Sequence, residues 1–264
     1  METSGTTLGF ELAIIALFVT LIVFGLHCSP AMATETTDRP ITVYLAGDST
    51  VASYAANRAP LTGWGQVLQR FFTDAVTVKN HAVSGRSSKS FIDEGRLDAI
   101  LRQIQPGDYL LVQFAHNDEK ADDPNRYTEP RTTFKTYLRQ YIEGARAKGA
   151  HPVLITPMHR RQFLPDGTIR FSHGAYPQAI LELGAQMQVP VIDLHRKSQV
   201  LFEKLGPEGT KRIFLWLEKG EHPNYPDGKE DNTHFSEYGA IELARLVVEG
   251  IKEANLPLAE HLRD

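Results

Sequence analysis

A serine follows the first apolar run of the chain, and an aspartate and a histidine lie close together near its other end. Ser49 is part of the tetrad Gly-Asp-Ser-Thr at 47–50, directly after the run ITVYLA. Asp231 and His234 are three residues apart, a spacing at which a turn brings a carboxylate to an imidazole ring. A serine hydroxyl becomes a nucleophile when a base takes its proton, and a triad is defined by roles and geometry rather than by chain order. These residues therefore predict a serine esterase with Ser49 as nucleophile, His234 as base and Asp231 as the group that orients the imidazole.

Two further segments supply hydrogen-bond donors suited to a tetrahedral intermediate. Acyl transfer needs N–H groups directed at the oxygen that becomes negatively charged. Gly85 lies in the segment AVSGRSS, and its lack of a side chain leaves its backbone N–H open to close approach. Asn117, in the segment FAHND, offers its side-chain amide. We expect an oxyanion hole formed by the backbone N–H groups of Ser49 and Gly85 and by the Asn117 amide, with no metal and no organic cofactor.

Short apolar runs alternate with amphipathic segments from residue 41 onward, and this alternation predicts one doubly wound α/β domain. Parallel strands are predicted at 41–46, 76–81, 109–114, 152–156 and 189–192. Helices are predicted at 64–72, 96–104, 132–148, 178–188, 198–205 and 235–254, with a long loop at 206–229. Ligands of such sheets bind outside the carboxyl ends of the strands. Ser49, Gly85 and Asn117 each follow a predicted strand end, so we expect them to meet at one edge of the sheet.

The composition argues against nucleic acid as a partner. The N-terminal sequence predicts export. A net charge of −4 over 264 residues gives no basic footprint for nucleic acid. Residues 12–26 form an uncharged apolar run, followed by the Ala31-x-Ala33 pattern of signal-peptide cleavage. We predict a signal peptide at 1–33, a linker at 34–40 and a catalytic domain at 41–264. The mature protein is then secreted or periplasmic, without stable membrane association.

The same N-terminus leaves one alternative open. Residues 1–11 contain no Lys or Arg, which is unusual for a cleaved signal, so an uncleaved membrane anchor is the alternative. Cys28 is the only cysteine of the chain. Cleavage after Ala33 would therefore exclude both a disulfide framework and a thiol nucleophile.

The four segments around Ser49, Gly85, Asn117 and Asp231–His234 resemble the four sequence blocks of the SGNH (GDSL) hydrolases. The resemblance runs from about residue 41 to 251. It implies a flavodoxin-like three-layer α/β/α sandwich with a five-stranded parallel sheet, and it implies the same nucleophile, oxyanion donors and triad partners. One position departs from the family pattern, because Ala115 stands where the third block usually has Gly. We expect alanine to restrict the backbone conformations available at this position without removing activity.

Several segments are similar to the rhamnogalacturonan acetylesterase branch of that family. They include the four blocks, the segment TPMHRRQF at 156–163 and the tripeptide Asn-Tyr-Pro at 224–226. The similarity implies removal of O-acetyl groups from the galacturonate-rich backbone of pectin. Such a substrate is polyanionic, so its binding cleft should carry cations that can hold a carboxylate. Candidate substrate-binding residues are therefore Arg86, Arg160 and Arg161, together with His116 and Trp64.

Each of these substrate-binding candidates also has a structural alternative. Arg160 and Arg161 suit solvated loop positions, His116 suits a structural role, and Trp64 suits core packing. Two other functions also stay open. A lipase, lysophospholipase or thioesterase would need an extended apolar groove, and the predicted loops are mostly polar. A non-catalytic carbohydrate-binding protein would not need the complete set of site residues. The sequence carries no signal for an oligomeric state.

Overall fold

A parallel sheet of five strands organises the fold. The computed structural model describes residues 39–263. The strands are β1 (Ile41–Gly47), β2 (Val76–Asn80), β3 (Tyr109–Gln113), β4 (His151–Ile155) and β5 (Val191–Ile192), in the order β2-β1-β3-β4-β5. All five predicted strands are confirmed to within a few residues. This strand order is that of the flavodoxin-like α/β folds.

Seven α-helices surround the sheet in the described part of the chain. They are α1 (Trp64–Val67), α2 (Ser88–Asp93), α3 (Arg96–Leu101), α4 (Thr133–Ala147), α5 (Tyr176–Met187), α6 (Leu194–Gly209) and α7 (Glu237–Glu253). All six predicted helices are present. The first, predicted at 64–72, consists of the short helix α1 followed by a 3-10 turn at Leu68–Phe71. Helix α2 was not predicted, because its sequence SKSFID has only two apolar residues, adjacent to each other, and so shows no helical spacing. A capping box formed by Ser87 and Ser90 defines its start.

Alternating side chains of each strand divide the core into two layers. In β1, Val43 and Leu45 pack in a cluster that includes residues of α1, α6 and α7. Tyr44 and Ala46 point to the opposite face and pack with residues of α2, α3, α4 and α5. Because successive side chains of a strand point to opposite faces, both faces of the sheet are covered by helices. The fold is therefore the predicted three-layer α/β/α sandwich.

The order of the strands places a crevice above β1 and β3. From β1 the chain crosses to β2 at one edge and then returns to β3 on the other side of β1. The loops that follow β1 and β3 consequently diverge, and such switch points are where α/β sheets bind ligands. Ser49 lies two residues beyond the end of β1, and Asn117 four residues beyond the end of β3.

A second, two-stranded sheet corrects the predicted loop at 206–229. Helix α6 has a non-helical residue at Gly206 (φ +69°) and ends at Gly209. The chain then forms β6 (Phe214–Leu217), which pairs antiparallel with β7 (Lys229–Phe235). The loop prediction was wrong at β6, whose four residues are flanked by a region dominated by Gly, Pro and charged residues. Strand β7 was not predicted, because it is polar and has no apolar alternation of its own. Pairing with the apolar β6 makes it a strand.

Within residues 39–263, no helix combines the length and apolar character needed to cross a bilayer. The apolar run at 12–26, the signal peptide predicted at 1–33 and Cys28 lie outside the described residues.

Candidate active site

A tight turn after β1 presents Ser49. The carboxylate of Asp48 accepts hydrogen bonds from the backbone N–H and the hydroxyl of Thr50, both at 2.8 Å. The Asp48 carbonyl accepts the backbone N–H groups of Val51 and Ala52 at 3.2 and 3.0 Å. Asp48 and Thr50 are fully buried, so Ser49 stands on a turn that these buried hydrogen bonds support.

A buried hydrogen-bond chain supports this turn from below. The Trp64 indole N–H donates to Gln113 Oε1, and Gln113 Nε2 donates to the Thr50 hydroxyl, both at 2.8 Å. Gln113 is the last residue of β3, so the chain connects the turn after β1 to the neighbouring strand. Trp64 is only 1% exposed, which makes it a core residue that supports the site rather than a platform for sugar stacking.

A continuous hydrogen-bond chain joins Ser49, His234 and Asp231. His234 Nε2 lies 2.9 Å from Ser49 Oγ, and His234 Nδ1 lies 2.9 Å from Asp231 Oδ2. An ionised carboxylate can only accept, so His234 carries its proton on Nδ1 and donates it to Asp231. In the neutral ring, Nε2 is then a free acceptor directed at the Ser49 hydroxyl. Strand β7 thus brings the aspartate and histidine to the serine, 185 residues apart in the chain.

The surroundings of Asp231 keep its carboxylate ionised. Burial alone would raise its pKa, but hydrogen bonds from the His234 ring and from the backbone N–H groups of His234 and Thr233 lower the pKa to about 2. The two backbone bonds measure 2.9 and 2.8 Å and both reach Asp231 Oδ1. Asp231 is therefore a negative charge of fixed orientation across the pH range in which a histidine works as a base.

The loop after β2 carries Gly85 in a conformation that favours glycine. Its φ is +80°, and a Cβ built there would meet nothing within 4 Å. The constraint is therefore conformational rather than steric. The loop is held against the first block by the bond from Val83 N–H to the Gly47 carbonyl, at 3.0 Å.

Asn117 is oriented by two hydrogen bonds. Its Nδ2 donates to the Arg86 carbonyl at 3.0 Å, and its Oδ1 accepts from Arg126 at 3.4 Å. A side-chain amide has two N–H groups, so one remains free at the cavity. The next residue, Asp118, is fully buried and binds Ser88 N–H, the Ser88 hydroxyl and the Thr128 hydroxyl. It therefore connects the Asn117 loop to the start of α2, just beyond Gly85.

Ala115 adopts a backbone conformation that L-residues rarely occupy. Its φ is +143°, and the residue is completely buried. This position is the one at which the sequence has alanine in place of glycine. The turn keeps the strained geometry with alanine present, and strain of this kind concentrates at functional sites.

His116 lies beside the buried carboxylate of Asp48. His116 Nδ1 is 3.7 Å from Asp48 Oδ2, and neither atom has a hydrogen-bond partner among the described residues. Burial raises the pKa of Asp48. Burial and the neighbouring His173 lower the pKa of His116 well below its usual value, so His116 is a neutral ring at the cavity.

A cavity of about 630 Å³ opens at Ser49 and His234. It gathers side chains from the loops after β1, β2, β3 and β4, and from β6 and β7. The lining residues are Ser49, Tyr54, Arg58, Leu61, Ser84, Gly85, His116, Asn117, Lys120, Arg160, Leu215, Tyr225, Lys229, Asp231, Thr233 and His234. The structure thus brings together Ser49, Gly85, Asn117, Asp231 and His234, the five residues predicted for catalysis.

Only one of the three predicted arginines lines the cavity. Arg160 does so, and it forms a salt bridge with Glu119. The guanidinium of Arg86 binds Glu94 at 3.1 Å and lies outside the lining. Arg161 stacks over the ring of Trp216 at 4.3 Å and donates to the Pro207 carbonyl at 2.6 Å.

The predictions for Arg86 and Arg161 are therefore corrected. Both residues lie near strand ends, as expected, but each guanidinium is occupied by a structural partner. In their place the cavity has Arg58, Lys120 and Lys229, which the sequence analysis missed. These three cations lie in separate segments without a shared pattern. Tyr225 also lines the cavity, and its signal was present in the Asn-Tyr-Pro segment at 224–226.

Among residues 39–263, no group of three or more His, Cys, Asp or Glu side chains is placed to hold a metal ion.

Comparison with known proteins gives a consistent result. A sequence model of the GDSL-like lipase/acylhydrolase family matches residues 45–240. Rhamnogalacturonan acetylesterase RhgT of Bacillus subtilis is 53% identical over 224 residues, covering 85% of this chain and 95% of that protein. The rhamnogalacturonan acetylesterase of Emericella nidulans is 30% identical over 225 residues, covering 77% of this chain and 81% of that protein.

A solved structure gives the same fold. The crystal structure of YxiM from Bacillus subtilis superposes with a TM-score of 0.72 at 32% identity, and the match covers 83% of this chain. This chain spans 58% of the length of that crystallised protein. The similarity to it therefore concerns one part of a longer molecule.

Proposed function

We propose that this chain, which belongs to the GDSL-like lipase/acylhydrolase family, is a serine esterase that removes O-acetyl groups from rhamnogalacturonan. The observation that carries the proposal is the hydrogen-bond chain from Ser49 through His234 to Asp231 at the mouth of a cation-rich cavity. Two relatives that match along most of their length are named rhamnogalacturonan acetylesterases, which supports this substrate.

The geometry supports an acylation step led by Ser49. Its hydroxyl attacks the acetyl carbonyl while His234 Nε2, at 2.9 Å, takes the proton. Asp231 stabilises the imidazolium that forms. The oxyanion of the tetrahedral intermediate accepts hydrogen bonds from the backbone N–H groups of Ser49 and Gly85 and from the free N–H of Asn117. His234 then gives its proton to the departing sugar oxygen, which leaves an acetyl group on Ser49.

Deacylation uses the same groups in reverse. Neutral His234 takes a proton from water, and the resulting hydroxide attacks the acetyl-Ser49 carbonyl. Collapse of the second oxyanion breaks the bond to Ser49 Oγ, and the imidazolium returns its proton to that oxygen. Acetate leaves and the enzyme is restored. None of these steps needs a metal or an organic cofactor.

The character of the cavity disfavours a long acyl chain as substrate. Leu61 and Leu215 are its only aliphatic lining side chains among the described residues, and cationic and hydroxyl groups surround them. An acyl-chain site is predominantly apolar. The cavity therefore disfavours the lipase, lysophospholipase and thioesterase alternatives. The intact hydrogen-bond chain from Ser49 to Asp231 disfavours a non-catalytic binding protein.

The proposal is tested by acetate release from acetylated rhamnogalacturonan, acetylated xylan and a series of 4-nitrophenyl esters. We expect the wild type to release acetate from rhamnogalacturonan most rapidly. The Ser49→Ala variant should lose at least about 10⁴-fold in kcat on every ester. Rapid cleavage of long-chain esters with no release from the polymer would overturn the proposed substrate. Turnover that survives in Ser49→Ala would overturn the mechanism.

We also propose that the protein is exported, on the basis of the apolar run at 12–26 and the Ala31-x-Ala33 pattern. N-terminal sequencing of the protein expressed in a bacterial host tests this. A mature N-terminus at Thr34 would support cleaved export. A full-length chain in the membrane fraction would favour the uncleaved anchor instead.

A further inference from the structure

The cavity at Ser49 has a charge imbalance that the chain as a whole lacks. The chain carries 28 Lys and Arg against 32 Asp and Glu. The cavity lining includes the four cations Arg58, Lys120, Arg160 and Lys229 and a single carboxylate, Asp231. That carboxylate already binds His234. Positive charges therefore outnumber negative ones among the residues that line the catalytic cavity.

Three of the four cations are available to a ligand. Arg160 is paired with Glu119, whose carboxylate also binds His173 Nδ1 at 3.0 Å. Arg58, Lys120 and Lys229 are exposed, and none forms an ion pair with any residue from 39 to 263. Isolated surface cations are common, but three unpaired ones around one catalytic cavity point to an anionic ligand.

Arg58 and Lys229 are positioned by a shared loop. Arg58 ends the 3-10 helix Ala56–Arg58. The amide of Asn224 donates to the carbonyl of Ala56 at 3.1 Å and to that of Ala59, just after the helix, at 2.9 Å. The Tyr225 hydroxyl donates to the Arg58 carbonyl at 3.0 Å. Lys229 begins β7 four residues further along. The Asn-Tyr-Pro segment therefore fixes the backbone of one cation and leads directly to the other.

Lys120 belongs to the loop that holds Asn117. Its backbone N–H donates to the Asn117 carbonyl at 3.3 Å. Burial lowers the pKa of Lys120, and the neighbouring Arg126 and Arg160 lower it further, while Glu119 and Asp123 act in the opposite direction. An anionic ligand at this point would reduce the repulsion from the two arginines.

We propose that Arg58, Lys120 and Lys229 bind the carboxylates of uronate sugars on either side of the acetylated unit, so that the enzyme selects acidic acetylated oligosaccharides over neutral ones. This inference rests on the proposed acetylesterase function. It extends that function by assigning recognition of the polymer's charge to three residues outside the catalytic set. The ligand chemistry is a carboxylate repeated along a sugar chain, which a fixed array of cations recognises through both charge and hydrogen bonds.

The test compares two forms of one substrate. Acetylated rhamnogalacturonan oligosaccharides are used with free carboxylates and after methyl esterification of those carboxylates, so that the acetyl groups stay the same. We expect the wild type to show a kcat/KM about tenfold higher on the acidic form at low ionic strength, with most of the difference in KM. Added salt should reduce this preference, since screening weakens exposed charge pairs.

Single variants assign the preference to residues. Arg58→Gln, Lys120→Gln and Lys229→Gln should each lower the ratio of kcat/KM on acidic to esterified substrate by about two- to fivefold. Lys148→Gln is the matched control. It removes one exposed positive charge, from the C-terminal end of α4, outside the cavity lining, and it should leave the ratio unchanged.

The outcomes separate this inference from the function on which it rests. Equal kcat/KM on the acidic and esterified forms would overturn the inference and leave the acetylesterase function intact. A loss of preference in Lys148→Gln equal to that in the cavity variants would also overturn it, because net charge alone would then explain the effect. Absence of Ser49-dependent acetate release from both forms, with 4-nitrophenyl acetate still cleaved, would overturn the proposed function and this inference together.

Discussion

The two halves of the site are built in different ways. Ser49 stands on a turn at the carboxyl end of β1 in the parallel sheet. The residues that support this turn, Asp48, Thr50 and Gln113, are all at most 1% exposed. Asp231 and His234 lie on β7 of the small antiparallel sheet, with side chains that are 19% and 31% exposed. The nucleophile is therefore supported by the core, whereas the base is supported mainly by its own aspartate.

This difference separates the contacts that stabilise the fold from those that support catalysis. Changes beneath Ser49 should alter stability, because they leave buried polar groups unpaired. Changes at Asp231 and His234 should alter the rate far more than the stability, because water can solvate the groups that lose a partner.

The largest expected effect is that of Asp231→Asn. The amide cannot hold His234 as the Nδ1–H tautomer, so we expect kcat to fall about 10³- to 10⁴-fold. The free energy of unfolding should fall by about 1–2 kcal/mol, because the variant loses a charge that the surroundings of Asp231 favour, while this half of the site is partly exposed. Acetate-release kinetics and urea unfolding measure the two effects. A kcat loss of less than tenfold would contradict the role given to Asp231.

Asn117→Ala tests the oxyanion donor on the buried half. It removes the free N–H at the cavity, and we expect kcat to fall about 10²- to 10³-fold with a much smaller change in KM. A loss carried mainly by KM would show that Asn117 binds the ground state instead.

Gln113→Leu tests the support beneath Ser49. It leaves the buried Trp64 indole N–H without an acceptor and removes the hydrogen bond that the Thr50 hydroxyl accepts, which should lower the free energy of unfolding by about 2–4 kcal/mol. Urea unfolding measures this change, with Asp231→Asn as the contrast from the exposed half. Equal destabilisation by the two variants would remove the distinction between the halves.

The two halves should also respond to pH in opposite directions. Burial raises the pKa of Asp118 to about 7, above its unfolded value of 3.8, so its contribution is complete below pH 4 and is lost as pH rises through 7. The pKa of Asp231 is lowered to about 2, so its contribution is present above pH 4 and is lost only as pH falls through 2.

The difference in stability between the wild type and Asp118→Asn, measured from pH 5 to 8, isolates the Asp118 effect, because the buried His116, His159 and His195, whose pKa values are lowered, titrate in both proteins. We expect the wild type to lose about 2 kcal/mol of unfolding free energy relative to Asp118→Asn over this range. The same decline in both proteins would assign the pH dependence to other groups.

The smallest expected effect is that of Ala115→Gly. Glycine adopts a φ of +143° freely, which offsets both the lost methyl contacts and the greater freedom of the unfolded chain. The unfolding free energy should therefore change by no more than about 1 kcal/mol, with kcat within about twofold. A tenfold change in kcat would show that the alanine tunes the oxyanion geometry.

The parallel sheet and the residues at its edge could be predicted from the sequence. The strands are short apolar runs, and a residue just beyond such a run must lie at the carboxyl edge, which located Ser49, Gly85 and Asn117 together. The spacing of Asp231 and His234 predicted the pair but not its strand. Strand β7 is polar and forms because it pairs with β6. This pairing is a tertiary contact, which the local sequence pattern of β7 does not predict.

The cations of the cavity could not be predicted in the same way. Arg86 and Arg161 follow strand ends as Arg160 does, but Glu94 and Trp216 occupy their guanidinium groups. Arg58, Lys120 and Lys229 reach the cavity through loops whose paths depend on tertiary hydrogen bonds. The type of a charged residue and its distance from a strand end therefore do not determine where its charge is presented.

The most direct measurement of the central claim is mass spectrometry of the acyl-enzyme. The enzyme is mixed with acetylated rhamnogalacturonan oligosaccharides, quenched in acid within the first turnovers and digested. The account predicts one acetyl group on the peptide that contains Ser49, and none on that peptide in the Ser49→Ala variant. Steady acetate release with no acetylated Ser49 peptide at any quench time, or acetylation at another residue, would contradict it.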